Sequence, residues 1–277
     1  MKNKRYEDLQ IKDDFMFGMI MRNPKYCKPF LEIVLNEKIK TITYPKTQFC
    51  IDNDVHAKGI RLDVYIDDTE NTVYNIEMQS HQKAYLPKRI RYYHSMIDLD
   101  LLEKGMDYTE LKKSVVIFVC TFDFVGKGLP IYTFEQRCKE DPFLSLQDNS
   151  TTIILNTKSN KNNITPRLRA LLEYIDGKQP SDDYTKELDV AVKKAKTNKD
   201  WKVIYMKMEA DLHDAFVEGQ AQGISQGISQ GIEKKHLEDL MKLAIEYKKD
   251  KTSALYIAGV LGIAEDELLG FVEKRNH

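Results

Sequence analysis

Ile60-Arg61-Leu62-Asp63-Val64-Tyr65-Ile66-Asp67, followed after a polar turn by Thr72-Val73-Tyr74-Asn75-Ile76-Glu77-Met78-Gln79, decides the fold class of this 277-residue chain. In the first run Ile60, Leu62, Val64 and Ile66 recur at period two, the repeat of a strand with one apolar face. Asp67-Asp68-Thr69-Glu70-Asn71 is a turn, and the second run has the length and composition of a partner strand, so the two predict a β-hairpin. On the second strand Glu77 and Gln79 share one face, while Ile76 and Met78 point to the other.

Outward from the hairpin the period changes. Upstream, Asp13 or Asp14 caps a helix carrying Phe15, Met16, Met19 and Ile20; the Asn23-Pro24 step breaks it, and a second helix carries Phe30, Leu31, Val34 and Leu35. Residues 39–49 read as extended. Downstream, Pro87 marks a helix start, and Ile90, Tyr93, Ile97, Leu101 and Leu102 line its apolar face through to Glu103, before Gly105. Ser114 to Phe122 is continuously apolar and β-branched, as a central strand buried on both faces requires. Further strands are expected at Leu129 to Phe134 and Thr151 to Leu155. Alternation of helices and strands predicts an α/β layered sheet.

From Ile164 the pattern turns helical, with helices at Leu168 to Ile175, Tyr184 to Lys196 and Trp201 to Val217. Gly219, Gly223, Gly227 and Gly231 then recur every four residues, at a cost of about 1 kcal/mol each relative to alanine in a helix. A helix, a turn at Gly262 and a second helix from Ala264 or Glu265 close the chain. The expected organisation is an α/β core with extra strands over 1–160, a helical extension over 161–217, a glycine-repeat helix or linker over 218–236, and a small helical hairpin over 237–277. That hairpin has the outline of a helix-turn-helix. Glu265, Asp266 and Glu267 stand where its second helix would meet phosphates, which favours packing or oligomerisation.

Pairing of the central hairpin brings Asp63 alongside Glu77. Two neighbouring carboxylates repel unless a proton or cation sits between them, and an all-oxygen set suits Mg²⁺ or Mn²⁺. The plainer reading of Asp63, Glu77 and Gln79 is the wet face of an amphipathic hairpin. Asp14-Phe15-Met16-Phe17-Gly18-Met19-Ile20, Arg61-Leu62-Asp63-Val64, Tyr74-Asn75-Ile76-Glu77-Met78-Gln79, Arg91-Tyr92-Tyr93 and Gly105-Met106-Asp107-Tyr108-Thr109-Glu110-Leu111 bear on the choice. In that order and spacing, over residues 10–125, they resemble the PD-(D/E)XK nuclease superfamily, in its branch of recombination-promoting nucleases and transposases.

The resemblance implies an αβββαβ restriction-endonuclease-like core, a mixed central sheet flanked by helices, with a helical C-terminal extension. It implies cleavage of phosphodiester bonds with a divalent metal, Asp63 being the central ligand and Glu77 the second. Gln79 stands where the superfamily has lysine. A glutamine cannot take a proton near neutrality, so general-base duty falls on metal-bound hydroxide or the substrate, while its amide can orient a water or a phosphate oxygen. Asp14 resembles the acidic residue that the first helix supplies to some superfamily sites, and is equally readable as a helix cap. Gly18 replaces a lysine often seen there. Arg91 and Lys88 are candidate phosphate contacts, against the alternative of a solvated helix face.

Formal net charge is −1, which argues against general coating of nucleic acid but leaves room for a local basic groove. The start of the chain has no apolar stretch after its basic residues, and no apolar run is long enough to span a bilayer. The expectation is a cytoplasmic protein without membrane association. The four cysteines are far apart and read as reduced and mostly buried. No histidine pattern places two ligands on one face for zinc, no glycine-rich phosphate loop occurs, and Ser80-His81 has no oxyanion element beside it. The leading expectation is a metal-dependent DNA endonuclease in recombination, mobile-element biology or defence, with DNA as partner and self-association through the C-terminal helices. The alternatives are a noncatalytic DNA-binding or oligomeric regulator on the same fold, and an interaction module with an acidic sheet face.

Overall fold

In the computed structural model, which describes residues 4–44, 49–51, 60–62, 64–68, 71–160 and 162–274, the apolar runs of the hairpin and of the strand after it become the middle of one sheet. The elements in chain order are α1 (Asp14–Met21), α2 (Pro24–Leu35), β1 (Ile42–Thr43), β2 (Phe49–Ile51), β3 (Ile60–Leu62), β4 (Val64–Asp68), β5 (Thr72–Gln79), α3 (Leu86–Leu101), β6 (Lys113–Cys120), β7 (Ile131–Phe134), β8 (Ser150–Asn156), α4 (Pro166–Ile175), α5 (Asp183–Ala195), α6 (Lys199–Lys249), α7 (Lys251–Val260) and α8 (Glu265–Lys274). Local chemistry sets several of the boundaries. Asn23 accepts from the Lys25 N–H with Pro24 in the first turn of α2, and a reciprocal Asp182–Thr185 capping box starts α5.

Strand order in the main sheet is β1-β4-β5-β6-β8-β7. β4 and β5 form the antiparallel hairpin, Val64 opposite Ile76 and Asp67 opposite Val73. β5, β6 and β8 run parallel, so Gln79, Cys120 and Asn156 finish side by side at one end of the sheet. The α/β class, with a mixed sheet flanked by helices and a helical C-terminal region, is therefore what the sequence predicts.

One expected element is divided. The run from Ile60 to Asp67 is two strands: β4 belongs to the main sheet, whereas β3 pairs with β2 in a separate two-stranded sheet. Asp63, between β3 and β4, lies outside the described residues.

Helix α3 covers one face of the sheet, where Leu86, Ile90, Tyr93, Met96 and Ile97 pack with Tyr65, Val73, Val116, Phe118, Cys120 and Ile154. The alternate residues Ile66, Ile76, Ile117, Val119 and Leu155 point the other way and are equally buried. α1 lies against β5, and α2, α4 and α5 pack around it. Cys27, Cys120 and Cys138 are free thiols, the first two buried.

The chain divides into two compact units, Met1–Met206 and Lys207–His277. Within the second, Leu240, Leu243 and Ala244 of α6 form a small core with Ala258, Ile263, Leu268 and Val272. The helix α6 is unbroken through Gly219, Gly223, Gly227 and Gly231, and residues 210–235 are exposed throughout. Among the described residues no helix is long and apolar enough to cross a membrane.

A polar seam interrupts the α3 face at its far end. His94 Nδ1 lies 2.9 Å from Ser114 Oγ and 3.3 Å from Ser150 Oγ, and Nε2 lies 3.0 Å from Thr152 Oγ1. Burial lowers the imidazole pKa to about 4, with Asp148 opposing the shift. Because the unfolded chain takes up this proton near pH 6.5 and the folded one near 4, the contribution of neutral His94 is complete above pH 6.5. It is lost as pH falls toward 4 and amounts to on the order of 3 kcal/mol. Urea unfolding at pH 7.5 and pH 4.5 checks this: the midpoint of the wild type should fall more steeply on acidification than that of His94→Asn. Equal slopes would show that His94 does not set the acid limb.

Candidate active site at the carboxyl end of β5

All eight residues of β5 are buried, including Asn75, Glu77 and Gln79, whose polar side chains share the α3 face. Glu77 is only 1% exposed, so its carboxylate requires a charged or hydrogen-bonding partner within the fold. Arg89 provides it from the first turns of α3. Its Nη2 donates to Glu77 Oε2 at 2.6 Å and its Nη1 to Gln79 Oε1 at 3.0 Å. The guanidinium is held in turn by Nε donating to the Tyr93 hydroxyl at 2.7 Å, and it lies over the rings of Tyr93 and Phe118 at 5.0 and 5.4 Å. A planar fork suits this double contact, and lysine would not reproduce it.

The rest of the site follows from β5. Glu77 Oε1 accepts a long 3.4 Å contact from Asn75 Nδ2, and Asn75 Oδ1 is buried without a hydrogen-bond partner among the described residues. Gln79 Nε2 donates to the carbonyl of His81 at 2.5 Å, so both ends of that amide are engaged. A buried carboxylate beside an orphaned amide oxygen offers hard-oxygen donors of the kind a divalent cation takes, while in this structure both carboxylate oxygens are engaged, by Arg89 and by Asn75. Among the described residues no group of three or more His, Cys, Asp or Glu side chains could hold a metal by itself.

The expected site residues fall into three groups. Glu77 and Gln79 are brought together through Arg89. Asp63 lies outside the described residues, although its neighbour Val64 pairs with Ile76, the neighbour of Glu77. Asp14 is exposed at the first position of α1, and its Oδ1 accepts from the Phe15 N–H at 2.8 Å. Of the basic residues, Lys88 and Arg91 are exposed on α3, and Arg91 lines a cleft with His94, Asp98 and Ser150.

In the sequence Arg89 groups with the basic residues after β5 as a possible phosphate contact, which misses its role as the counter-ion of Glu77. The signal was its helical phase: Arg89 sits four residues before Tyr93 and next to Ile90, on the stripe that faces the sheet, while Lys88 and Arg91 fall outside it.

Removing the guanidinium leaves Glu77 buried without its cation, a change that typically costs about 3–5 kcal/mol. Arg89→Ala should lower the urea midpoint accordingly. Glu77→Gln combined with Arg89→Ala should recover part of the loss, giving a double-mutant coupling of several kcal/mol; additive effects would mean the pair is not a unit.

A model of the PD-(D/E)XK nuclease family transposase matches residues 12–164, more than half of the chain and all of the main sheet. No curated protein and no solved structure matches it.

Proposed function

Because the chain belongs to the PD-(D/E)XK nuclease family transposases, we propose that it is a metal-dependent DNA endonuclease whose centre is the carboxyl end of β5. The observation carrying this reading is a glutamate buried to 1% exposure on a central strand, beside an unpartnered amide oxygen and under a fixed guanidinium. Such an arrangement is costly to fold and is typical of a place where charge is handled.

Glu77 and Asp63 would hold the cation, Mg²⁺ or Mn²⁺, with Asp14 as a further acidic candidate from α1. When bound, the cation supplies Lewis acidity toward a phosphoryl oxygen. Arg89 fixes the rotamer of Glu77 and balances its charge. Gln79, engaged at both ends of its amide, positions Arg89 and is not the proton carrier. Lys88 and Arg91, exposed on α3, are available to backbone phosphates. A cytoplasmic setting and a part in recombination, mobile-element biology or defence accord with this chemistry.

Nicking of supercoiled plasmid tests the reading. The wild type should cleave with Mg²⁺ or Mn²⁺ and stop with EDTA. Asp63→Ala and Glu77→Gln should each reduce the rate by about two orders of magnitude or more, since each removes a ligand of the same cation. Undiminished cleavage by either variant would remove the mechanism. Binding without cleavage in any metal would support a noncatalytic DNA-binding regulator, a reading favoured by the uncharged Gln79 and by the commitment of Glu77 to Arg89.

Self-association through α6 is part of the proposal. An added Cβ at Gly219, Gly223, Gly227 or Gly231 would meet nothing within 4 Å, and Ile224, Ile228 and Ile232 are exposed on the same helix. In a lone helix each Gly→Ala change stabilises by about 1 kcal/mol, whereas against a second copy it obstructs close approach. Sedimentation of the full chain, of a truncation ending at Val217 and of the Gly223→Ala/Gly227→Ala variant separates these cases. A monomeric wild type would end the oligomer reading.

A further inference from the structure

Past the ends of the parallel strands the sheet opens into a second cleft, distinct from the Glu77 centre and linked to it by the hydrogen bond from Gln79 to the His81 carbonyl. Ser80 and His81 follow β5 directly, Thr121 follows β6 and Lys158 lies just beyond β8, and all four line a cavity of about 320 Å³ together with Lys12 and Asp13 from before α1. Its walls are tied to the strand ends: the Thr121 N–H donates to the Gln79 carbonyl at 3.1 Å, and its hydroxyl donates to the Ser80 carbonyl at 3.2 Å. In open α/β sheets, the crevice outside the carboxyl ends of the strands is the usual ligand position.

The charges in this cleft are unequal in their commitments. Asp13 is paired with Lys4, and Asp176 with Lys158 at 2.7 Å. Lys12 has no acidic partner among the described residues, although it is half-buried against the turn at Gly177. The His81 ring is anchored at Nδ1, 2.9 Å from Ser80 Oγ, while its backbone carbonyl holds Gln79. His81 is exposed, and Nε2 has no hydrogen-bond partner among the described residues. The cleft thus offers one uncommitted ammonium and one ring nitrogen whose partner is still to come, with both local carboxylates already neutralised.

We propose that this cleft is a phosphodiester subsite, in which Lys12 and the His81 ring hold a backbone phosphate of the DNA strand flanking the one presented to Glu77. The inference rests on the nuclease reading for the identity of the polymer, but it concerns binding and needs no cleavage. It explains how a chain of net charge −1 engages a polyanion: contact is confined to a short track from the strand ends and does not depend on an overall positive field. Contact to phosphate carries no base information, so this subsite sets register on the strand and leaves sequence preference to other groups.

The test is the salt dependence of binding by the full-length protein to a fluorescent duplex oligonucleotide, measured by anisotropy in EDTA so that cleavage plays no part. Loss of one phosphate contact should make the slope of log K against log salt shallower by about 0.9, uniformly across sequences. Lys12→Ala should show that change and weaker binding, and Lys12→Arg should restore the wild-type slope, which a merely structural role for Lys12 would not predict. His81→Ala should weaken binding, and Arg91→Ala, outside the cleft, should leave the Lys12 effect intact. Glu77→Gln separates the two readings, because it should slow nicking by about two orders of magnitude or more, while adding Lys12→Ala to it should still make the slope shallower by about 0.9. If the protein binds DNA and Lys12→Ala has the wild-type slope, the subsite is wrong and the nuclease reading stands. If the wild type binds no DNA, both are wrong.

Discussion

Taking a carboxylate out of water is tolerable only if something of opposite charge comes with it, and that requirement organises the core around Glu77. The acid lies on a strand paired on both sides and is roofed by α3, so its partner has to descend from the helix. Arg89 does so, and to be held there it needs the Tyr93 hydroxyl, the ring faces of Tyr93 and Phe118, and the Gln79 amide. Each depends on register: Glu77 stands opposite Phe118 across the β5–β6 ladder, and Arg89 precedes Tyr93 by one helical turn. A shift of one residue in β5 would turn the acid toward the apolar layer on the opposite face, and one in α3 would swing Arg89 by about 100° away from it.

Much of this was legible in the sequence, for identifiable reasons. Period two in the hairpin and the unbroken apolar run of β6 report apolar burial directly, the main driving force of folding, but the same alternation marks Asn75, Glu77 and Gln79 as a wet face, which the structure buries. The facing of Glu77 and Gln79 follows from the same alternation. What could not be read is pairing between segments distant in the chain. β8 lies between β6 and β7, although β7 comes first, and β3 leaves the main sheet for β2. Nothing local distinguishes those pairings from their alternatives.

Arg89, unlike those pairings, carries a local signal in its helical phase. Lys88, Arg89 and Arg91 look equivalent as a string of basic residues, and only the rotation of α3 on the sheet makes one an internal counter-ion and leaves the others in solvent. Cationic side chains in a nuclease-like site therefore divide by helical phase into those that shape the acid and those free to meet a polyanion. Asp14 belongs to a comparable ambiguity, since its carboxylate bonds to the start of its own helix.

The eight-residue parallel ladder between β5 and β6, with every β5 position buried, also has a bearing on motion. Amide protons in such a ladder exchange with solvent only through opening close to global unfolding. The acid at its end is consequently mounted on one of the slowest-exchanging parts of the chain. Adjustment at the carboxylate must come from rotamers of the α3 side chains above it, because the backbone beneath it cannot yield without melting the sheet.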